Sequence, residues 1–346
     1  MSKALDVDSV LTARRDYNAQ LGRIVGEKKR AYGTAAVILL VLLLFPLLQL
    51  TGASFNYELH MMLFSFMYIA MASSWNILGG YTGYISLGHN VFFGIGGYFS
   101  GMIFVYWGIS PFVTAPLAGI LASLIGFAVG LITLRVRGPS FIISTIALLM
   151  VARILFDNWE FVGGANGVSL PLIDLPVRWV KVPYYYAFLA IAVVTVIASY
   201  KIKHSKFGLG LRAISQDEVK AESAGIDTRM YKVLAFAISA FFVGMAGAIW
   251  GDYLNYIRPN IFLIILVAAN IVLMAILGGK GTVAGPIVGA ILLIAFNEAV
   301  VAYFGATQIN ILGTGVLMLL VLLYFPNGVV GSLARAGKLP RFLDWD

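Results

Sequence analysis

Val113-Thr-Ala-Pro-Leu-Ala-Gly-Ile-Leu-Ala-Ser-Leu-Ile-Gly-Phe-Ala-Val-Gly-Leu-Ile-Thr-Leu134 contains no Asp, Glu, Lys or Arg and is closed by Arg135. A helix needs about 20 apolar residues to cross the hydrocarbon of a bilayer, and this stretch supplies them in one piece. Comparable runs lie at Tyr32–Leu50, Leu59–Leu78, Val91–Trp107, Phe141–Phe156, Tyr184–Tyr200, Val233–Gly251, Ile261–Leu277, Val283–Phe304 and Ile309–Phe325. The expected fold is therefore all-α: a polytopic integral membrane protein with about ten transmembrane helices, eight to ten allowing for the shortest runs.

Composition agrees. Of 346 residues, 60% are hydrophobic and 12% charged, against about 45–50% and about 25% in soluble domains. That little charge cannot solvate a soluble body of this size, which excludes a water-soluble enzyme. With no cysteine, disulfides and thiolate metal sites are excluded, and nothing calls for a cofactor or a metal. The first 30 residues are polar and no small-residue cleavage site follows the first apolar run, so no secretory signal peptide is expected.

The net charge of +8, from 24 Lys and Arg against 16 Asp and Glu, would on its own suit nucleic acid, but its placement says otherwise. With a cytoplasmic N-terminus, inside segments hold 20 of the bases: those before Tyr32, Arg135 and Arg137, those from Lys201 to Lys232, Lys280, and those after Phe325. Outside lie only Arg178, Lys181 and Arg258, and Arg153 sits within a span. This positive-inside asymmetry calls for an even number of spans with both termini in the cytoplasm. The expected organisation is a cytoplasmic segment 1–31, a membrane domain 32–325 with an inside loop 201–232, and a cytoplasmic tail 326–346. Nucleic acid drops out as a partner; membrane lipid is the surrounding medium.

Glycines at i,i+4 spacing, at Gly97/Gly101, Gly126/Gly130, Gly247/Gly251 and Gly285/Gly289, let helix backbones approach closely where lipid gives no hydrophobic drive. Ionisable residues within spans are few. Arg153 has Asp157 one turn later, an i,i+4 pair near a helix end, and Glu298 lies near an outer end. His89 has no neighbouring ligand for a metal. An ion-coupled carrier would bury a carboxylate near the midplane; no span centre has one, which points to an energy source on another protein.

Two glycine-rich breaks each begin Ile-Leu-Gly-Gly, at Ile77–Gly80 and Ile276–Gly279, and each leads into a span. Paired Gly/Pro-interrupted segments point to a substrate path, although ordinary connecting turns would read the same way. Thr82, Ser86, His89 and Asn90 at the first break, with Asn166 in the Gly163–Gly167 stretch, are the candidates to line it. Two soluble-enzyme patterns fail. Gly208-Leu-Gly210-Leu-Arg-Ala213 follows a membrane span rather than a strand, and Gly279-Lys-Gly-Thr282 has Met274 and Gly281 where a phosphate loop needs Gly and Ser/Thr. ATP hydrolysis by this chain alone is not expected.

In the inside loop, Ser215-Gln-Asp-Glu218 reads as a capping box with Ser215 as N-cap, and Gly225 as a left-handed C-terminal stop. A short helix is expected over Gln216–Ala224. Glu218 and Glu222 share a face there, at a local cost of a few tenths of a kcal/mol; a surface that tolerates this could offer acids to a basic partner.

These residues carry a resemblance. Asp217-Glu-Val-Lys-Ala-Glu222-Ser-Ala-Gly225-Ile, followed by a span, resembles the docking loop of bacterial ABC-importer permeases. Trp75-Asn-Ile-Leu-Gly-Gly-Tyr-Thr-Gly-Tyr-Ile-Ser-Leu-Gly-His89, Phe92-Phe-Gly-Ile-Gly-Gly-Tyr98, Arg137-Gly138, Gly163-Gly-Ala-Asn-Gly167, Leu211-Arg-Ala213, Leu277-Gly-Gly279 with Gly285-Pro286, and Phe325-Pro-Asn-Gly328 are similar to the LivM-type subunits of the branched-chain amino-acid permease family. The blocks run in order from about residue 70 to 330. The resemblance implies an inner-membrane permease without its own ATPase site, paired with a second, homologous permease subunit. It also implies two cytoplasmic ABC ATPase subunits and a periplasmic substrate-binding protein. Asp217, Glu218, Ala221, Glu222 and Gly225 would then dock an ATPase. Branched-chain or related hydrophobic amino acids are the implied substrate; permeases for urea or short amides are closely similar, and an ion-coupled carrier is the more distant alternative.

Overall fold

The structure, a computed structural model, describes residues 33–51, 55–305, 309–325 and 327–337. It is a helical bundle: α1 (Gly33–Leu50), α2 (Asn56–Thr82), α3 (His89–Trp107), α4 (Pro111–Thr133), α5 (Pro139–Asp157), α6 (Lys181–Lys203), α7 (Lys206–Gln216), α8 (Glu218–Ser223) and α9 (Thr228–Leu254). After these come α10 (Pro259–Phe262), α11 (Ile265–Gly278), α12 (Gly285–Phe304), α13 (Ile309–Tyr324) and α14 (Gly328–Arg335). Among the described residues, strand appears as one short antiparallel pair, β1 (Val168–Ser169) with β2 (Tyr256–Ile257), registered Val168 to Ile257.

Among the described residues, eight helices are long and apolar enough to cross a membrane, with α10 and α11 counted as one broken span. The two expected spans outside that set are α3 and α13. At 19 residues, α3 is about 28 Å long, close to a bilayer core, but His89, Asn90 and its glycines dilute its apolar character. It still runs end to end. It starts at the first glycine break, and at its far end Tyr106 stacks on Phe161 of the outer 158–180 loop, ring centroids 5.3 Å apart. The other, α13, has 16 residues.

Every residue from Phe66 to Gly79 is buried, so α2 is a central helix with protein on all sides. The companion buried helix is α9, against which α3 and α4 both lie. Their contacts are backbone on backbone. A Cβ at Gly247 would overlap the Phe93 carbonyl, one at Gly96 the Gly244 carbonyl, and one at Gly126 would stand 2.8 Å from the Ala240 Cβ. By contrast little of α1 and α5 is buried, and both carry apolar side chains outward, such as Val41, Ile143 and Ile154. That arrangement suits lipid and would not suit water.

The inside segments assigned by charge gather at one end of the bundle. There Gly83 lies against Ser215, Arg137 reaches Glu218 and Glu222, and Arg229 donates to the Leu131 carbonyl at 2.8 Å. The expected outside segments meet at the other end, where Tyr57 donates to Glu298 at 3.0 Å and Lys181 to the Asn56 carbonyl at 2.9 Å.

The two glycine breaks pack against each other. Asn76, fully buried, donates to the Thr282 carbonyl at 2.9 Å and accepts from the Gly281 N–H at 2.8 Å. One side-chain amide thus closes both backbone groups of the second break. Replacing Asn76 with alanine leaves two backbone groups unpaired at about 1–3 kcal/mol each. The expected result is a fall in thermal unfolding midpoint of several degrees; unchanged melting would refute the bridge.

Segment 1–31 lies outside the described residues. Within the tail, α14 seats Gly328 against the turn after α11 and buries Val330.

Candidate functional site

In place of the helix expected over Gln216–Ala224, α7 ends at Gln216 and α8 covers Glu218–Ser223. Ser205 accepts from the Gly208 N–H at 3.1 Å and caps α7, which runs through Ser215 to Gln216. Asp217 then takes an extended conformation, with φ −162°, and accepts from the Val219 and Lys220 N–H groups at 3.0 and 3.1 Å. The N-cap is therefore Asp217 rather than Ser215, because the earlier cap at Ser205 carries the chain through Ser215 as helix. Those N–H bonds, led by that of Lys220, together with the Lys220 side chain, hold the Asp217 carboxyl below its usual range. The C-terminal stop is as expected. Gly225, at φ +86°, donates to the Glu222 carbonyl, and Ile226 donates to that of Ala221, the paired bonds of a Schellman turn.

Glu218 and Glu222, expected to share a face of α8, point their carboxylates apart, and the cations that offset them belong to this chain. Arg137, from the loop between α4 and α5, stands 3.4 Å from Glu218 and 3.3 Å from Glu222. Glu222 remains largely exposed, whereas the Glu218 side chain is 13% exposed and turned inward. There it pairs with Lys232, itself 2% exposed, at 2.7 Å. The Tyr84 hydroxyl accepts from Lys232 at 3.1 Å and donates to the second Glu218 oxygen, and Thr228 donates at 3.4 Å. The Lys232 ammonium also lies 4.3 Å from the Tyr84 ring centroid, a cation–π contact. Burial pushes the Glu218 carboxyl up, but the hydrogen bonds from Lys232 and Tyr84 and the charges of Lys232 and Arg137 outweigh it, and the net shift is downward. Burial, then the bond to Glu218, raises the Tyr84 phenol, which keeps it protonated as a donor. Ala221 is buried beneath α8, while Val219, Lys220 and Glu222 face outward.

The candidate path residues behave differently. Thr82 donates to the Leu78 carbonyl at 2.7 Å and accepts from the Tyr84 N–H at 3.2 Å, closing the end of α2. Ser86 accepts from the Gly88 N–H, and its carbonyl accepts from the Trp75 indole at 2.8 Å. His89 Nε2 meets the Ser239 hydroxyl on α9 at 2.9 Å. Asn90 donates to the Phe262 and Ile264 carbonyls at 2.6 and 3.0 Å, where α10 breaks into α11. All four are buried: Thr82 and Ser86 hold the break itself, and His89 and Asn90 tie the start of α3 to α9 and to the α10–α11 break. Asn166 stands apart at the outer end, exposed, its carbonyl accepting from Tyr256.

Tyr84, Arg137, Lys232 and Asn76 were not picked from the sequence as site residues. Lys232 and Arg137 read there as topology charges; the available signal for Lys232 was a base placed directly against an apolar run.

The family model described as the branched-chain amino acid transport system / permease component matches residues 58–323. The chain belongs to this family. It is thus a transport permease component and not itself an enzyme of that system. It is similar to the high-affinity branched-chain amino acid transport system permease protein LivM of Escherichia coli (strain K12), 27% identical over 290 residues, covering 76% of this chain and 67% of the relative. The same organism's LivH permease protein is 26% identical over 288 residues, covering 76% and 91%. A probable LivM permease protein of Methanocaldococcus jannaschii is 25% identical over 328 residues, covering 85% and 93%. No solved structure matches the chain.

Proposed function

We propose that this permease component is one half of the membrane channel of an inner-membrane ABC importer for branched-chain amino acids. Its companions would be a second, homologous permease subunit, two cytoplasmic ABC ATPases and a periplasmic binding protein. The observation that carries the reading is α8: a doubly capped helix on the basic, inside end of the bundle, with Ala221 buried beneath it and Val219, Lys220 and Glu222 facing away. A six-residue helix is too short to persist in water on propensity alone. Holding it in place with an apolar and charged outer face suits a docking element for the ATPase. In this reading Asp217 and Gly225 set its ends, and Glu222 and Val219 meet the partner.

The test is affinity purification of the chain from its native membrane, followed by uptake of labelled leucine, isoleucine and valine in vesicles. Two ATPases should co-purify, and Val219→Asp with Glu222→Lys should lower their recovery together with ATP-dependent uptake. Failure of the ATPases to accompany the wild-type chain would sink the reading.

A further inference from the structure

We propose that Glu218 is a positioning residue for transport: together with Lys232 and Tyr84 it carries displacement of α8 into the transmembrane bundle. The proposal rests on the ATPase-docking reading above. Three separate segments meet on this one carboxylate: Tyr84 from the α2–α3 break, Arg137 from the α4–α5 loop, and Thr228 with Lys232 from the first turns of α9. The outer face of α8 is left for a partner, and the inner face is gripped by charge-assisted bonds, the stronger class of hydrogen bond. With Lys232 almost wholly buried, little water can compete for those bonds.

The grip continues inward. Tyr84 lies two residues beyond the end of α2, and on α2 Asn76 closes the second break through Gly281 and Thr282. On the other side Lys232 belongs to α9, which packs along α3 and α4. A push on α8 therefore reaches both glycine breaks and the central helix pair through contacts present in the structure. Without Glu218, α8 would keep its caps and its outer face, but its movement would be taken up by the loop.

Contiguity alone does not establish coupling, so the test measures coupling directly. The assembled transporter is reconstituted with its binding protein, and uptake per ATP hydrolysed is compared for wild type, Glu218→Gln and Tyr84→Phe. For Glu218→Gln the ATPases should remain bound and hydrolysis stay within about twofold, while uptake per ATP falls about tenfold, inside the usual range of coupling between sites. Tyr84→Phe, which removes a single hydroxyl and should fold normally, should fall between the two. Hydrogen exchange should speed up at residues 83–90 as well as at 218–224 in Glu218→Gln. An uptake-to-ATP ratio unchanged in Tyr84→Phe and in whatever Glu218→Gln protein assembles overturns this proposal while the docking reading stands. Absence of ATPases from the wild-type preparation overturns the docking reading and this one with it.

Discussion

Gly247→Ala is expected to abolish recovery of monodisperse protein from detergent extracts. The methyl group would be built into the carbonyl of Phe93 on α3, and Gly96 of α3 faces the Gly244 carbonyl of α9 in the same way. Overpacking a core usually costs about 1–3 kcal/mol because side chains can shift. Here the obstacle is backbone on a neighbouring helix, so α3 must separate from α9 along its length. Separation is especially damaging in a membrane, where close van der Waals contact holds helices together and no hydrophobic drive replaces it. On the far side of α9, Gly244 has the Ala122 methyl of α4 at 2.5 Å from a built Cβ, so there is no slack to absorb the shift. Gly315→Ala is the control. Nothing lies within 4 Å of that position, and alanine in an open helical site should stabilise by about 0.5–1 kcal/mol. Fluorescence-detected size-exclusion chromatography of the two variants decides the matter: equal monodisperse peaks would contradict the close approach.

Lys232→Met should lower stability by about 3 kcal/mol, the low end for breaking a buried pair, because Glu218 loses its nearest cation and keeps only the more exposed Arg137. Adding Glu218→Gln to Lys232→Met should recover much of the loss, since no buried charge then remains unpaired. The pH dependence has a definite sign. The folded Glu218 carboxyl lies below its ordinary value of 4.5. Its contribution is therefore complete above that value and lost as pH falls through the lowered one. The gap in melting temperature between wild type and Lys232→Met should narrow on acidification: wild type loses the paired carboxylate below about 4.5, and the variant, without Lys232, sheds its buried charge at higher pH. A gap that widened on acidification would mean that Glu218 is not held as a carboxylate.

The membrane fold was readable because its signals are local. Charge-free runs such as Val113–Leu134 and the placement of lysines and arginines need no knowledge of long-range contacts, and the glycine pairs announce close packing before the partner helix is known. Gly225 was readable as a helix stop for the same reason. The start of α8 was misplaced by competition between two nearby caps: Ser215 and Asp217 both suit an N-cap, and the choice was made upstream at Ser205. The contacts of Glu218 were out of reach. Its partners Tyr84 and Lys232 lie 134 and 14 positions away, and a carboxylate beside another on a short helix looks solvent-facing until the fold supplies cations. Thr82, Ser86, His89 and Asn90 have the polarity a solute path would need, and the same polarity serves to tie helix ends together.

The bridge made by Asn76 sets an order on biogenesis. Its carbonyl partner Thr282 lies 206 residues later in the chain, a delay of about 10–40 s at ordinary rates of synthesis. Through that interval α2 is already made, yet the polar amide destined for the centre of the protein has no native partner. The helix that ends up most deeply enclosed is thus among the first to be translated and among the last to be completed. Until residues 281 and 282 emerge, it must be sheltered by the insertion machinery or by water at the cytoplasmic edge.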